Sequence, residues 1–320
     1  MLSFDEVRSQ LAPSFQELEK KRQELIAHRS KGWIGVLISF VVGLVFFFVL
    51  AGQGVAGLFL PLFVVVVGCL ISYGVFFAGS KSNYASEFKA RIVNQIAKAL
   101  APEVTYQPHS MVEKSWFQGS GLFSGRVARY NGEDYFGGRI GDTDLFFSEI
   151  HAESKHTRHD SDGNTETYYK TIFQGLFVVA DFHKDFQGEV FVRPDGLEKW
   201  GSLGRALQKL GGKVERMENP EFERLFKVTA SNAVEARYIL TPAMQERMIE
   251  LSQKFSPEIG ASFRGSLIYL AIPKTEDWFE GRLDVAAGNE SQLRRLFGQL
   301  HACFGLVEQL DLNTRIWTKT

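Results

Sequence analysis

Charge is missing over one long stretch of this chain. Residues 32–80 hold no Asp, Glu, Lys or Arg, and nearly all of them are apolar, Gly or Ser. That excludes an ordinary surface helix, which keeps a charged or polar face toward water. Cysteine is scarce too, with Cys69 inside the uncharged run and Cys303 in a helical pattern near the end. Two such positions build neither a disulfide framework nor a cysteine-rich metal site, and they fit a reducing compartment for most of the chain. No excess of either charge exists, since 36 Lys and Arg face 37 Asp and Glu. The balance argues against nucleic acid as the main partner, because phosphate recognition needs a clustered basic surface. Motifs of catalysis and cofactor binding are lacking as well. Gly119 to Gly125 is glycine-rich but has neither the GxGxxG spacing nor the Lys-Ser/Thr ending of a phosphate loop. There is no G-x-S-x-G elbow and no H-E-x-x-H zinc helix. No internal repeat or low-complexity linker interrupts the chain.

What fills the uncharged stretch is hydrocarbon. Residues 33–50 and 55–78 are each long enough to cross a bilayer core, which takes about 20 helical residues. Residues 51–54 leave only a short turn between them, so the stretch predicts a transmembrane helical hairpin. Lys20, Lys21, Arg22, Arg29 and Lys31 precede the first span, Lys81, Lys89, Arg91 and Lys98 follow the second, and the turn has no basic residue. Basic residues near span ends stay in the cytoplasm, so both termini are expected there and the turn outside. The run lacks the position and cleavage site of a signal peptide.

Around the hairpin the periodicities are mixed. Residues 3–31 read as helix, with Ser3 and Glu6 at capping-box spacing and Pro13 restarting the helix one turn later. Tyr84, Phe88, Ile92, Ile96 and Leu100 make a stripe four residues apart, predicting a helix that pairs with the first as a short antiparallel stalk. From Val104 the texture becomes short alternating segments. Strands are expected at 135–140, 143–152, 168–182 and 189–193, with Gly141-Asp142 as a tight turn and 153–167 as a long polar hairpin tip. A helix is expected over 197–210, stopped by Gly211-Gly212, then a strand at 222–229. Asn232 with Glu235, Thr241-Pro242, and Asn289 with Gln292 each predict a helix start, and 262–265 with 267–272 a hairpin. The fold class is therefore α+β: an N-terminal transmembrane helical hairpin followed by a mostly antiparallel cytoplasmic domain. The expected divisions are a cytoplasmic helix at 1–31, the hairpin at 32–80, a stalk helix at 81–103 and the α+β domain at 104–320.

One polar cluster invites a metal. His151, His156, His159, Asp160, Asp162, Asn164 and Glu166 crowd the tip, and Asp160, Asp162 and Asn164 match the opening spacings of a calcium loop. Gly163 is misplaced for that loop, and Thr171 stands where its bidentate Glu belongs. The candidates for a metal are thus His156, His159, Asp160 and Asp162, set against a plain solvated turn at Asp162-Gly163-Asn164. Residues of evident catalytic or cofactor-binding character do not stand out.

Several segments are familiar as a set. Ser120-Gly-Leu-Phe-Ser124, Gly132-Glu-Asp-Tyr-Phe-Gly-Gly138 and its continuation to Glu149, Ile172 to Phe177, Ala180-Asp-Phe-His183 and Glu235-Ala-Arg-Tyr-Ile-Leu-Thr-Pro242 resemble a bacterial membrane-protein family catalogued as a domain of unknown function. The resemblance implies a membrane hairpin ahead of the domain and residence in the bacterial inner membrane, and it brings no catalytic residue, cofactor or substrate. The leading expectation is a membrane-anchored cytoplasmic interaction or regulatory module, binding protein or lipid partners at the inner face. Alternatives are a membrane-associated hydrolase with a dispersed active site and a metal-responsive regulator using the His/Asp-rich loop.

Overall fold

The computed structural model describes residues 2–50, 56–77, 80–123, 125–159, 165–182, 187–195 and 213–312. The described chain divides into two compact units, residues 2–96 with 279–298, and residues 97–278 with 299–312.

The first unit is helical. Helix α1 (Phe4–Leu50) runs for 47 residues. Its capping box forms: the Ser3 N–H donates to Glu6 Oε2 at 2.8 Å and the Glu6 N–H donates back to Ser3 Oγ at 3.4 Å. The expected restart at Pro13 does not occur, for the helix passes through Pro13 unbroken and the charged and apolar parts are one rod. Proline removes one backbone donor, and the rest of a long helix can hold across that gap. Helix α2 (Ala56–Ser72) continues through a π turn at Tyr73–Phe77. Helix α3 (Ser80–Phe88), a second π turn (Lys89–Val93) and α4 (Asn94–Leu100) follow. The turn expected at 51–54 lies outside the described residues. Two stretches of this unit are long and apolar enough to cross a membrane.

Small residues bring α1 and α2 together. A Cβ on Gly35 would meet Ser72 Oγ at 2.6 Å, one on Gly68 would collide with Ser39, and one on Gly43 would strike the Val65 side chain. Further along, α1 lies against α3 and the turn after it. Lys21 pairs with Glu87, Arg91 bridges Glu17 and Glu87, and Ser14 Oγ donates to Gln95 Oε1 at 2.9 Å. The striped residues Tyr84, Phe88 and Ile92 are buried. Residues 279–298 return to this unit: Ala287 N–H donates to Glu19 at 2.9 Å, Arg22 donates to the Leu283 carbonyl at 3.0 Å, and Phe4 meets Phe297 edge-on.

The second unit is built on a nine-stranded sheet in which every described pairing is antiparallel. Its strands are β1 (Thr105–Gln107), β2 (Val127–Ile140), β3 (Thr143–His159), β4 (Thr165–Asp181), β5 (Glu189–Pro194), β6 (Lys213–Glu215), β7 (Phe226–Ala230), β8 (Gly260–Arg264) and β9 (Leu267–Pro273). The spatial order is β1-β2-β3-β4-β9-β8-β5-β7-β6. Helices α5 (Lys114–Gly119), α6 (Pro220–Leu225), α7 (Ala233–Ile239), α8 (Pro242–Lys254), α9 (Glu290–Phe304) and α10 (Leu306–Gln309) join them. The alternation of strand side chains gives the sheet two cores. On one face Phe117 of α5 packs against Phe123, Phe173 and Phe177. On the other, Phe304 at the end of α9 meets Phe136 and Phe147.

Two expectations are corrected. The polar stretch 153–167 is largely strand, since β3 reaches His159 and β4 begins at Thr165, paired residue for residue. Cross-strand pairing extends a ribbon beyond the apolar alternation that sequence can show. The stretch 222–229 begins as helix: the Asn219 side chain accepts from the Glu221 and Phe222 N–H groups, Pro220 occupies the first turn, and the strand starts only at Phe226. The helix expected over 197–210 and its glycine stop lie outside the described residues.

Candidate functional site

The second unit contains a cleft of about 270 Å³ where β2, β3 and β4 pass beneath the segment after β9. Its chemistry comes from the phase of β3. Leu145, Phe147, Glu149 and His151 alternate onto one face, so a carboxylate follows two apolar residues into the interior. The same face of β9 presents Leu270, Ile272 and then Lys274, one residue past the strand. Register brings these together. Glu149 stands opposite Glu133 on one side and Leu176 on the other, while His151 faces Asn131 and Gln174.

Backbone irregularity shapes the floor. The register of β2 slips between Glu133 and Phe136, where Asp134 takes the left-handed conformation at φ 59°. That turns the Asp134 carboxylate inward to accept from the Tyr106 hydroxyl, and its N–H donates to the Pro108 carbonyl at 3.1 Å. Gly175 on β4 has φ 153° and leaves no room for a Cβ against the Ile272 carbonyl and Pro273.

Glu149 and Lys274 form an ion pair whose side chains are 9% and 8% exposed. Glu149 also accepts from the Trp278 N–H at 3.0 Å, and the Lys274 ammonium sits 4.8 Å from the centre of the Trp278 ring. Burial pushes the Glu149 carboxyl up and the Lys274 amine down, with their mutual attraction opposing both shifts. Burial also pushes the Cys303 thiol up to about 12, leaving it protonated. Around the pair, carboxylate oxygens of Glu133, Glu149 and Asp277 lie within 4.8 Å of one another, and Glu276 joins the rim. Oxygen ligands of this type suit a hard cation, which takes six to eight of them. Such an ion would have to share Glu149 with the ammonium already there. A basic side chain entering from outside needs only Glu133, Asp277 and Glu276, which leaves the buried pair intact.

The residues singled out from sequence are placed elsewhere. His156 lies on the β3–β4 ribbon, where its ring stacks on Tyr168 at 5.4 Å and its Nε2 is 2.8 Å from Ser154 Oγ. His159 is the last residue of β3, opposite Thr165. Asp160 and Asp162 lie outside the described residues. Among the described residues of that cluster, His151 alone lines the cleft, with Nε2 3.2 Å from Thr171 Oγ1. Glu133, Glu149, Lys274 and Asp277 are not joined by sequence, because they come from β2, from β3 and from the segment after β9. Their signal was phase, a charge standing where the apolar alternation calls for a core residue.

Residues 171–312 match a family described as protein of unknown function (DUF3137). The matched stretch holds Gln174, Lys274 and Asp277 of the cleft and the familiar segments at 172–177, 180–183 and 235–242; Glu133 and Glu149 precede it. No curated protein matches the chain. Among solved structures, the mycobacterial trehalose monomycolate transport factor A, TtfA, is similar at a TM-score of 0.35 and 13% identity, over 69% of this chain and 97% of that one. A likeness that slight carries no argument.

Proposed function

We propose that this chain is an integral protein of the bacterial inner membrane whose antiparallel domain binds a protein partner at the cytoplasmic face. The observation that carries the reading is the surface of α1 and α2. Leu37, Phe48, Phe59 and Leu70 are 65%, 71%, 68% and 65% exposed, amid neighbours equally apolar. Monomeric soluble proteins rarely leave contiguous apolar patches beyond a few hundred Å² in water, whereas hydrocarbon accepts them without cost. In this reading residues 32–80 form the membrane hairpin, 1–31 and 81–103 the stalk below it, and 104–320 the binding domain. Basic residues flank both spans at one end, which favours cytoplasmic termini. Within the domain, the carboxylate-rimmed cleft is the recognition surface and takes a Lys side chain of the partner.

A single membrane preparation tests both parts. A phosphatase active only outside the cytoplasm, fused after Thr320, is expected to be silent, and the chain is expected to resist extraction by alkaline carbonate. In the same membranes, a carbodiimide should couple Glu133 or Asp277 to an amine of the partner, and Glu133→Gln with Asp277→Asn should abolish that product. A bright phosphatase signal would overturn the orientation. An unchanged crosslink in the double variant would remove the cleft from the reading.

A further inference from the structure

The charged end of the hairpin carries a feature that anchoring alone does not require. At the second π turn's predecessor, Tyr73–Phe77, the helix turns Phe76 and Phe77 onto α1, where they fill the space beside Gly32. The Phe77 ring meets Trp33 edge-on at 5.6 Å, stacks on Tyr73 at 6.3 Å and lies under the Arg29 guanidinium at 5.6 Å. Phe76 meets the His28 ring at 5.0 Å. Trp33 and Tyr73 remain 67% and 64% exposed, so both helices present an amphipathic ring at one level.

Cations stand at this level without acids to neutralise them. Between Glu24 and Glu87 the sequence has no Asp or Glu, and Glu87 is already engaged by Lys21 and Arg91. Among the described residues, neither Arg29 nor Lys31 forms an ion pair. Trp and Tyr favour the headgroup layer, which sets these two cations at the depth of lipid phosphates. A guanidinium held over a ring keeps its fork of N–H donors free for a phosphate, which it binds in bidentate fashion. A zwitterionic lipid brings its own ammonium to that phosphate; an anionic lipid does not.

We propose that Arg29, Lys31, Trp33 and Tyr73 form a collar that selects anionic phospholipid headgroups around the hairpin. The proposal rests on the membrane reading above. It predicts enrichment of about fivefold for each cation engaged, since a basic residue near an anionic surface gains about 1 kcal/mol. The full chain is reconstituted into vesicles of phosphatidylcholine and phosphatidylglycerol, with bromine on the acyl chains of one lipid or the other. Trp33 is the sole tryptophan in residues 32–80, so brominated chains report its neighbours through quenching, and Trp33→Phe assigns the signal. Quenching is expected to be stronger from brominated phosphatidylglycerol at equal mole fraction, and Arg29→Gln with Lys31→Gln should bring the two lipids level. Equal quenching by both lipids in the wild-type chain would overturn the collar while leaving the membrane reading intact. Quenching by neither would overturn both.

Discussion

Lys274 shows how much one side chain can decide in this domain. Two buried charges in contact cost several kcal/mol each in lost hydration, and their attraction offsets that only with good partners. Here Glu149 has Lys274 and the Trp278 N–H. Removing one member of such a pair strands the other and typically costs 3–5 kcal/mol, whereas replacing both by apolar or neutral groups is often neutral. We therefore expect Lys274→Met to destabilise the domain by about 3 kcal/mol at pH 8, and Glu149→Gln with Lys274→Met to recover most of the loss. The sign of the pH effect follows from burial. Burial already raises the Glu149 pKa in the fold, and loss of the ammonium, with Glu133 and Asp277 close by, raises it further. A carboxyl with a raised folded pKa favours the fold at pH below its unfolded value and disfavours it as pH climbs through the folded one. Lys274→Met should thus melt higher at pH 5 than at pH 8, and urea denaturation at the two values measures it. A variant equally unstable at both would show that Lys274 acts through packing on Trp278. Sequence could place Glu149 on an inward phase, but not its partner, since Lys274 is 125 residues away and only the β4–β9 pairing unites them.

At the scale of elements, legibility followed chemistry that is local. All four helix starts read from side chains are formed as hydrogen bonds: Ser3 to the Glu6 N–H, Asn232 to Val234, Thr241 to Met244 and Asn289 to Gln292. Such caps act within three residues, so a sequence window contains the whole interaction. The strand expected at 222–229 missed the same kind of signal, since Asn219-Pro220 just upstream caps and opens a helix before the strand begins. The packing of the two spans rests on a local pattern too: Gly35, Ser39 and Gly43 recur every four residues on α1, as Gly68 and Ser72 do on α2. The structure interleaves them, Gly35 with Ser72 and Ser39 with Gly68. In lipid, close approach through small side chains supplies the contact that the hydrophobic effect supplies in water. Gly43→Leu and Gly68→Leu are expected to splay the spans, whereas Val45→Leu and Val66→Leu, both on exposed positions, should be silent. Disulfide formation between cysteines placed one on each span, in a chain without Cys69 and Cys303, reads the outcome. Equal yields in all four variants would remove the groove.

Across the whole molecule the least legible feature is the return of residues 279–298 to the N-terminal helix. Nothing local announces it, because its contacts join positions more than 250 residues apart. Glu19 holds the junction. One of its oxygens accepts from the Ala287 N–H, and both bind Arg22, whose guanidinium also donates to the Leu283 carbonyl. Hydrogen bonds from Arg22 hold the Glu19 carboxyl at about 2, against an ordinary value of 4.5. A carboxyl with a depressed folded pKa stabilises at pH above its unfolded value, and that contribution is lost as pH falls toward the folded one. The segment should therefore loosen between pH 4.5 and about 2. Glu19→Ala should loosen it at neutral pH as well. A hydrogen bond to a charged group contributes about 1.5–3 kcal/mol, so amide exchange at Ala287, corrected for its intrinsic rate, should rise about tenfold or more. Amides of β4 and β9, in the other unit, serve as the internal control and should keep their rates. If Ala287 exchanges no faster in Glu19→Ala, the segment is held by Phe4 and Arg8, which meet Phe297, Arg294 and Glu290 of α9, and the Glu19 junction is incidental.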